Sequence, residues 1–264
     1  MILLKKIKNK ILKFFFKHPI LKIKDSKKFK YSYLGSKYGG WFFVDEDITK
    51  ESLILSVGLG EDASFDIELI NKYNSKIIIL DPTPNAIDHY NAILNSIGNS
   101  KISCYRETGK QSISSYDLEN IDIKNFVFLP KALWTSSGKI KFYKPLNIDH
   151  ISHSIINFQN NYSKFSEYIE VESICIDDLA YQMKIDLNKI TLMKLDIEGA
   201  EIEVLEDCMN KNFKPRQILV EFDELNLFSI KGYKRVYRTH NLLIKNGYQL
   251  LKSDKKSNFL YYKK

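Results

Sequence analysis

The sequence predicts an α/β domain built on an open, mostly parallel sheet with helices on both faces. Three observations carry that expectation. Short apolar runs rich in β-formers alternate with amphipathic stretches from residue 53 onward. A glycine turn joins the first of these runs to the first amphipathic stretch. Three runs close on an acid, at Asp81, Asp196 and Glu221. Such sheets bind ligands at the carboxyl ends of strands, where the strand order reverses, so these acids should converge on one cleft.

The N-terminal stretch stands apart. Residues 1–30 hold eleven lysines and one acid, Asp25, so they account for the whole positive balance of a chain whose net charge is +8. The remainder is close to neutral and implies no nucleic-acid partner. We divide the chain into a basic amphipathic segment, 1–30, and a domain, 31–264. On a helix, Leu4, Ile7, Ile11, Phe14 and Phe15 share one face among lysines, and His18-Pro19 ends the pattern. Two readings stay open for 1–24: a peripheral helix on anionic lipid, or a helix packed on the body or on a partner chain. No run of about 18 apolar residues predicts a membrane span, and the lysines interrupt any secretory signal. Cys104, Cys175 and Cys208 are widely spaced and odd in number, which suits a reducing, cytoplasmic setting, and the lipid reading of residues 1–24 would put the chain at the inner face of the membrane.

The elements then follow in order. Tyr38-Gly39-Gly40-Trp41-Phe42 is either a flap over a ligand or ordinary loop packing. Residues 53–57 form a buried strand. Gly58-Leu59-Gly60 make the turn, Asp62 is placed to cap a helix over 63–74, and residues 76–80 are a second strand closed by Asp81. This βαβ unit holds a nucleoside. A pyrophosphate would favour the helix N-terminus, but Glu61 and Asp62 would repel it. The sulfonium and ammonium of S-adenosylmethionine are favoured by the same acids, and Asp81 suits the ribose of either ligand. Because Gly58-x-Gly60-x-x-Ala63 also fits the relaxed dinucleotide pattern, an NAD-linked oxidoreductase stays open.

Residues 85–97 predict a helix, 98–124 no clear element, and 126–130 a third strand. Residues 132–134 and 139–143 predict a hairpin around Ser136-Ser137-Gly138. Residues 148–168, with His150 and His153, predict a long polar connection of the kind that carries function. A short strand over 171–176, a helix from Asp177, a strand over 191–196, a helix after Gly199, a strand over 216–221, a basic helix over 233–246 and a closing hairpin complete the chain.

SVGLGEDASFD, ILDPTP, the KALW and SGKIKFY segments, HSIIN, KLDIEGAEIEVLED and ILVEFDEL resemble the FkbM-type S-adenosylmethionine-dependent methyltransferases over roughly residues 38–251. The resemblance implies the class I methyltransferase sheet, Rossmann-like, of seven strands with the last antiparallel. It implies methyl transfer, commonly to a sugar hydroxyl of a polyketide, glycolipid or surface polysaccharide. Gly58, Leu59, Gly60, Glu61, Asp62, Asp81, Pro82, Thr83, Ala132 and Asp196 are the expected cofactor contacts. A hydroxyl acceptor needs a general base, and Asp196, Glu198, Glu201 and His153 are the candidates. Asp196 comes first, because it ends the strand beside the methionine half of the cofactor. A divalent metal on Asp196, Glu221 and Asp223 is a further reading of the same carboxylates, though no metal site is assigned. A non-catalytic cofactor-binding scaffold is the remaining alternative.

Overall fold

The computed structural model describes residues 17–143, 167–226 and 228–263. Its chain order is β1 (Tyr31–Leu34), β2 (Trp41–Val44), β3 (Leu53–Val57), α1 (Ser64–Tyr73), β4 (Lys76–Leu80), α2 (Pro84–Leu94), β5 (Phe126–Leu129), β6 (Ala132–Leu133), β7 (Gly138–Tyr143), β8 (Tyr168–Ile174), α3 (Ile176–Met183), β9 (Ile190–Leu195), α4 (Glu201–Asn210), β10 (Gln217–Glu221), α5 (Ile230–Lys245), β11 (Tyr248–Ser253) and β12 (Asn258–Lys263). The central sheet has seven strands in the order β11-β12-β10-β9-β3-β4-β5. From β10 to β5 every pairing is parallel, and β12 runs antiparallel to both of its neighbours. The order reverses between β3 and β9, so the carboxyl ends of these two strands flank the crevice.

The strands are apolar on both faces because helices cover both. Leu55, Val57, Ile78, Leu80, Met193, Leu195, Ile218 and Val220 pack toward α3, α4 and α5. Ile54, Ile77, Ile79, Leu192 and Leu219 face α1, α2 and β2. The alternation is the period-two pattern of a strand. α4 and α5 are tied by Arg235, whose guanidinium reaches Glu203 at 2.7 Å and Glu224 at 3.3 Å.

Several boundaries and two pairings differ from expectation. Residues 132–143 do not fold as a simple hairpin. β8 inserts between the two strands, parallel to β6 and antiparallel to β7. Six residue pairs join β7 to β8, and Ser173 Oγ donates to the carbonyls of Ser136 and Gly138. The returning strand thus satisfies backbone that a two-stranded ribbon would leave open. Residues 38–42, expected as a flap or a packed loop, belong to the β1–β2 hairpin, whose Trp41, Phe43 and Val44 are buried in the core. The cap of α1 is Ala63, not Asp62; Asp62 Oδ1 instead accepts from the Ser64 amide at 3.0 Å.

The boundary drawn at residue 30 falls inside the packed body. Ile20 is buried in the core, and the Ser26 amide donates to the Leu251 carbonyl. Residues 1–16 of the expected amphipathic helix, and residues 148–166 of the expected polar connection with His153 among them, lie outside the described residues. Among the described residues no helix is long and apolar enough to cross a membrane.

Candidate functional site

A cleft of about 1090 Å³ opens at the carboxyl ends of β3, β4, β9 and β10. Its floor is the turn after β3. Gly58 has φ +90°, and a Cβ there would overlap the Asp196 carbonyl oxygen, so the turns after β3 and β9 touch backbone to backbone. Gly60 has φ +55° with open space where its Cβ would stand. The Asp196 amide donates to Val57 O at 3.0 Å and the Gly58 amide to Leu80 O at 2.9 Å, which locks the crevice at its base.

Asp81 holds this turn. Its Oδ2 accepts from the Leu59 and Gly60 amides, both at 2.9 Å; its Oδ1 accepts from the Thr83 amide at 2.9 Å and hydroxyl at 2.6 Å. A carboxylate offers about four acceptor positions, and here the protein fills all of them. Asp81 thus organises the glycine turn while it lines the cleft. The amides at the head of α1 are also taken. Asp62 N donates to Leu59 O, Ala63 N to the Tyr116 hydroxyl and Ser64 N to Asp62.

The acids of the turn are themselves compensated. Glu61 pairs with Lys110 at 2.8 Å. Asp62 Oδ2 accepts from Ser36 Oγ at 2.6 Å and from Gln111 Nε2 at 3.1 Å. Beneath the turn, the ammonium of Lys194, 3% exposed, donates to the Gly58 carbonyl. Asp66 is fully buried nearby; burial pushes its carboxyl up, and the Lys194 charge opposes that rise. Lys194 was not among the expected site residues. Its signal is a charge inside the apolar run of β9, which a buried strand does not hold without a partner.

The opposite wall is differently balanced. Asp196, Ile197, Glu198, Glu221 and Asp223 line it. Glu198 sits in the left-handed region at φ +57°, where a residue with a Cβ is strained, and Gly199 follows at +98°. Glu201 fixes this turn: its oxygens accept from the Ile197 amide at 2.7 Å and the Gly199 amide at 2.9 Å. It is fully buried, does not line the cleft, and its carboxyl is pushed up by burial and by Glu224. Glu201 is therefore a clamp on the turn, and its expected place among the bases is withdrawn.

Burial, and then the neighbouring Asp196, raise Glu221 to about 8. Asp223 is raised by burial and by Glu198, Glu201 and Glu221. Asn226 Nδ2 bridges these two carboxyls, at 3.1 Å from Glu221 and 2.7 Å from Asp223. Among the described residues no three acids, histidines or cysteines gather as a metal site, so the metal reading of Asp196, Glu221 and Asp223 has no geometry behind it.

Tyr38 lines the cleft on the hairpin side. It is 65% exposed; partial desolvation in the cleft, then Glu198 and Asp196 across from it, raise its hydroxyl. The arm that carries it is pinned rather than loose: Ser36 Oγ accepts from the Tyr38 and Gly39 amides at 3.1 and 2.8 Å, and the Gly35 amide donates to Glu68 at 2.7 Å. Pro82, Thr83 and Ala132 also line the cleft, so the structure brings every expected cofactor contact to one place.

An acid-walled crevice over a glycine turn, built on this strand order, is consistent with a Rossmann-like methyltransferase fold. The family model described as the methyltransferase FkbM domain matches residues 52–250. The chain belongs to the FkbM methyltransferase family. No curated protein matches it. The matched span begins just before β3 and ends in β11, so the β1–β2 hairpin and β12 lie outside it.

Proposed function

We propose that this FkbM methyltransferase uses S-adenosylmethionine to methylate a hydroxyl of a sugar-bearing acceptor in a polysaccharide, glycolipid or related glycoside. The observation that carries the cofactor is the state of the glycine turn. A dinucleotide needs free amides at the head of α1 for its pyrophosphate. Here the Leu59 and Gly60 amides are given to Asp81, and those of Ala63 and Ser64 to Tyr116 and Asp62. The turn carries its own anion and has no place for a second, while the acidic wall beyond it suits a cation. These residues fit S-adenosylmethionine: the open space at Gly60 and the residues Asp81, Pro82 and Thr83 would face its nucleoside, and Asp196 with the acidic wall its charged end.

Bound there, the cofactor supplies a methyl group already activated by its sulfonium. The chain must then orient the acceptor oxygen and take its proton. Asp196 is the proposed base, with Glu198 beside it on a turn held by Glu201. The large cleft accommodates an acceptor next to the cofactor, and Tyr38 is set to contact it. The setting we propose is cytoplasmic, with the acceptor a soluble or lipid-linked glycan.

The test is twofold. Ligands that co-purify with the chain are identified by mass spectrometry, and calorimetry compares S-adenosylhomocysteine with NAD. Methyl incorporation from labelled cofactor into extracted glycans then tests the acceptor class. Tight binding of NAD with no binding of S-adenosylhomocysteine overturns the cofactor. Cofactor binding with no transfer to any glycan leaves the scaffold reading in place of the enzyme.

A further inference from the structure

Helix α5 has an outer surface that the methyl-transfer reading does not use. Its sequence, IKGYKRVYRTHNLLIK, contains no acid. Gly232, Val236, Thr239, His240 and Leu243 turn inward, and Arg235 is spent on Glu203 and Glu224. Everything else with charge points out. At 3.6 residues per turn the exposed arc resolves into two rows. Ile230, Tyr237 and Ile244 recur at seven-residue spacing and are 67%, 48% and 43% exposed. Beside them run Lys231, Arg238 and Lys245, at the same spacing, together with Lys234, all exposed.

The chain before the hairpin completes the pattern. His18 Nε2 lies 2.9 Å from the Tyr233 carbonyl, and its ring meets those of Tyr233 and Tyr237. This lays residues 17–24 along the flank of the apolar row, where Lys17, Lys22, Ile23 and Lys24 are exposed. A narrow apolar strip is therefore bordered by cations on both sides. It opens at Ile230, a few residues after the cleft-lining Asn226, so it meets the site end of the sheet.

We infer that this face seats the protein on an anionic lipid surface, α5 lying flat with Ile230, Tyr237 and Ile244 in the headgroup layer. A strip of three side chains is too narrow for a stable protein interface, which needs roughly 800 Å² from each partner. A second copy on a two-fold axis would set the cations against their own mates. A lipid surface needs no shape match: headgroup phosphates answer the lysines, and acyl chains answer the isoleucines. The inference does not depend on the cofactor or the acceptor.

The experiment is co-sedimentation of the full chain with vesicles of phosphatidylcholine alone and of phosphatidylcholine mixed with phosphatidylglycerol. The full chain should bind the mixed vesicles, and added salt should weaken that binding. Two variants keep residues 1–30 intact: Lys231→Gln/Lys234→Gln/Arg238→Gln/Lys245→Gln, and Ile230→Ser/Tyr237→Ser/Ile244→Ser. Each should lose at least about tenfold in binding to mixed vesicles with its melting temperature held, because the side chains are exposed. Unchanged binding by both variants overturns the role of α5 and leaves the N-terminal lysines as the anchor. Equal binding of the full chain to both vesicle types, or a dimer or RNA complex that the same variants abolish in place of vesicle binding, also overturns it.

Discussion

Two glycines two residues apart make opposite predictions, and the contrast tests the site directly. At Gly58 a methyl group would overlap the Asp196 carbonyl oxygen, where real Cβ contacts stay beyond 3.0 Å. Relief requires the turns after β3 and β9 to part, which strains the hydrogen bonds from Asp196 N to Val57 O and from Gly58 N to Leu80 O. Overpacking costs about 1–3 kcal/mol and a positive φ about 1–2 kcal/mol more. Gly58→Ala should thus lose about 3 kcal/mol or more, on the order of 10 °C in melting temperature. At Gly60 only the backbone term applies, because nothing lies within 4 Å of the added methyl. Gly60→Ala should lose about 1–2 kcal/mol, a drop of a few degrees. Its methyl, however, enters the space proposed for the nucleoside, so S-adenosylhomocysteine affinity should fall at least about tenfold. Calorimetric melting and titration of both variants suffice. Undiminished affinity in Gly60→Ala would falsify the placement of the ligand, and equal melting of the two variants would refute the backbone contact at Gly58.

Asp81→Asn puts an amide NH₂ against N–H donors on whichever side it lies; we expect a loss of about 2–3 kcal/mol in stability and weaker S-adenosylhomocysteine binding, and unchanged melting would show that the turn does not rest on Asp81. Lys194→Met removes the cation under Gly58 and leaves Asp66 to be buried neutral; cofactor affinity should drop by about tenfold, and a titration matching the unaltered chain would dismiss Lys194 from the site. Glu221 binds its proton more tightly folded, at about 8, than unfolded, near 4.3. Its contribution to stability is therefore complete below about 4.3 and is lost as pH rises through about 8. The ligand-free chain should melt lower at pH 8 than at pH 5, with a shallower slope in Glu221→Gln; identical slopes would deny the shift. Asp196→Asn keeps the shape and removes the carboxylate charge, so methyl transfer should fall about a hundredfold and S-adenosylmethionine should bind more weakly, and normal turnover would exclude Asp196.

The sheet was legible because its strands are short, apolar and punctuated. Glycines and acids marked where residues 53–57, 76–80, 191–196 and 216–221 end, and the structure places those ends around one cleft. What sequence could not resolve was pairing at a distance. β8 separates β6 from β7 by pairing with both, its Ser173 hydroxyl donating to the Gly138 carbonyl 35 residues before it, and local turn chemistry at Ser136-Ser137-Gly138 carries no trace of that strand. The β1–β2 hairpin was hidden for a related reason: Gly39 and Gly40 signal a turn, but only packing against α1 and β10 makes Trp41 and Phe43 core residues. The hydrogen bonds of the carboxylates were not legible either. Asp81, Asp62 and Glu201 each look available in a sequence, and each is committed to backbone or side-chain donors that only the fold supplies.

The distribution of charge along the cleft sets the direction in which a ligand lies. At the turn, the acids that line the cleft have answers: Glu61 has Lys110, Asp62 has Ser36 and Gln111, and Asp81 has four donors. At the far wall burial, and then the neighbouring acids, push Glu221 and Asp223 up. Two carboxyls that repel can be relieved by a proton or by a cation. A ligand with a neutral nucleoside at one end and a positive centre at the other satisfies both halves of the cleft in one orientation only. Reversed, it would bring its cation to acids that are already paired and leave the far wall to protonation. The same argument fixes a sign for binding: a cationic ligand favours the ionised wall, so its arrival should release protons near neutral pH. Titrations of S-adenosylmethionine in two buffers of different ionisation enthalpy measure that release, and Glu221→Gln should reduce it.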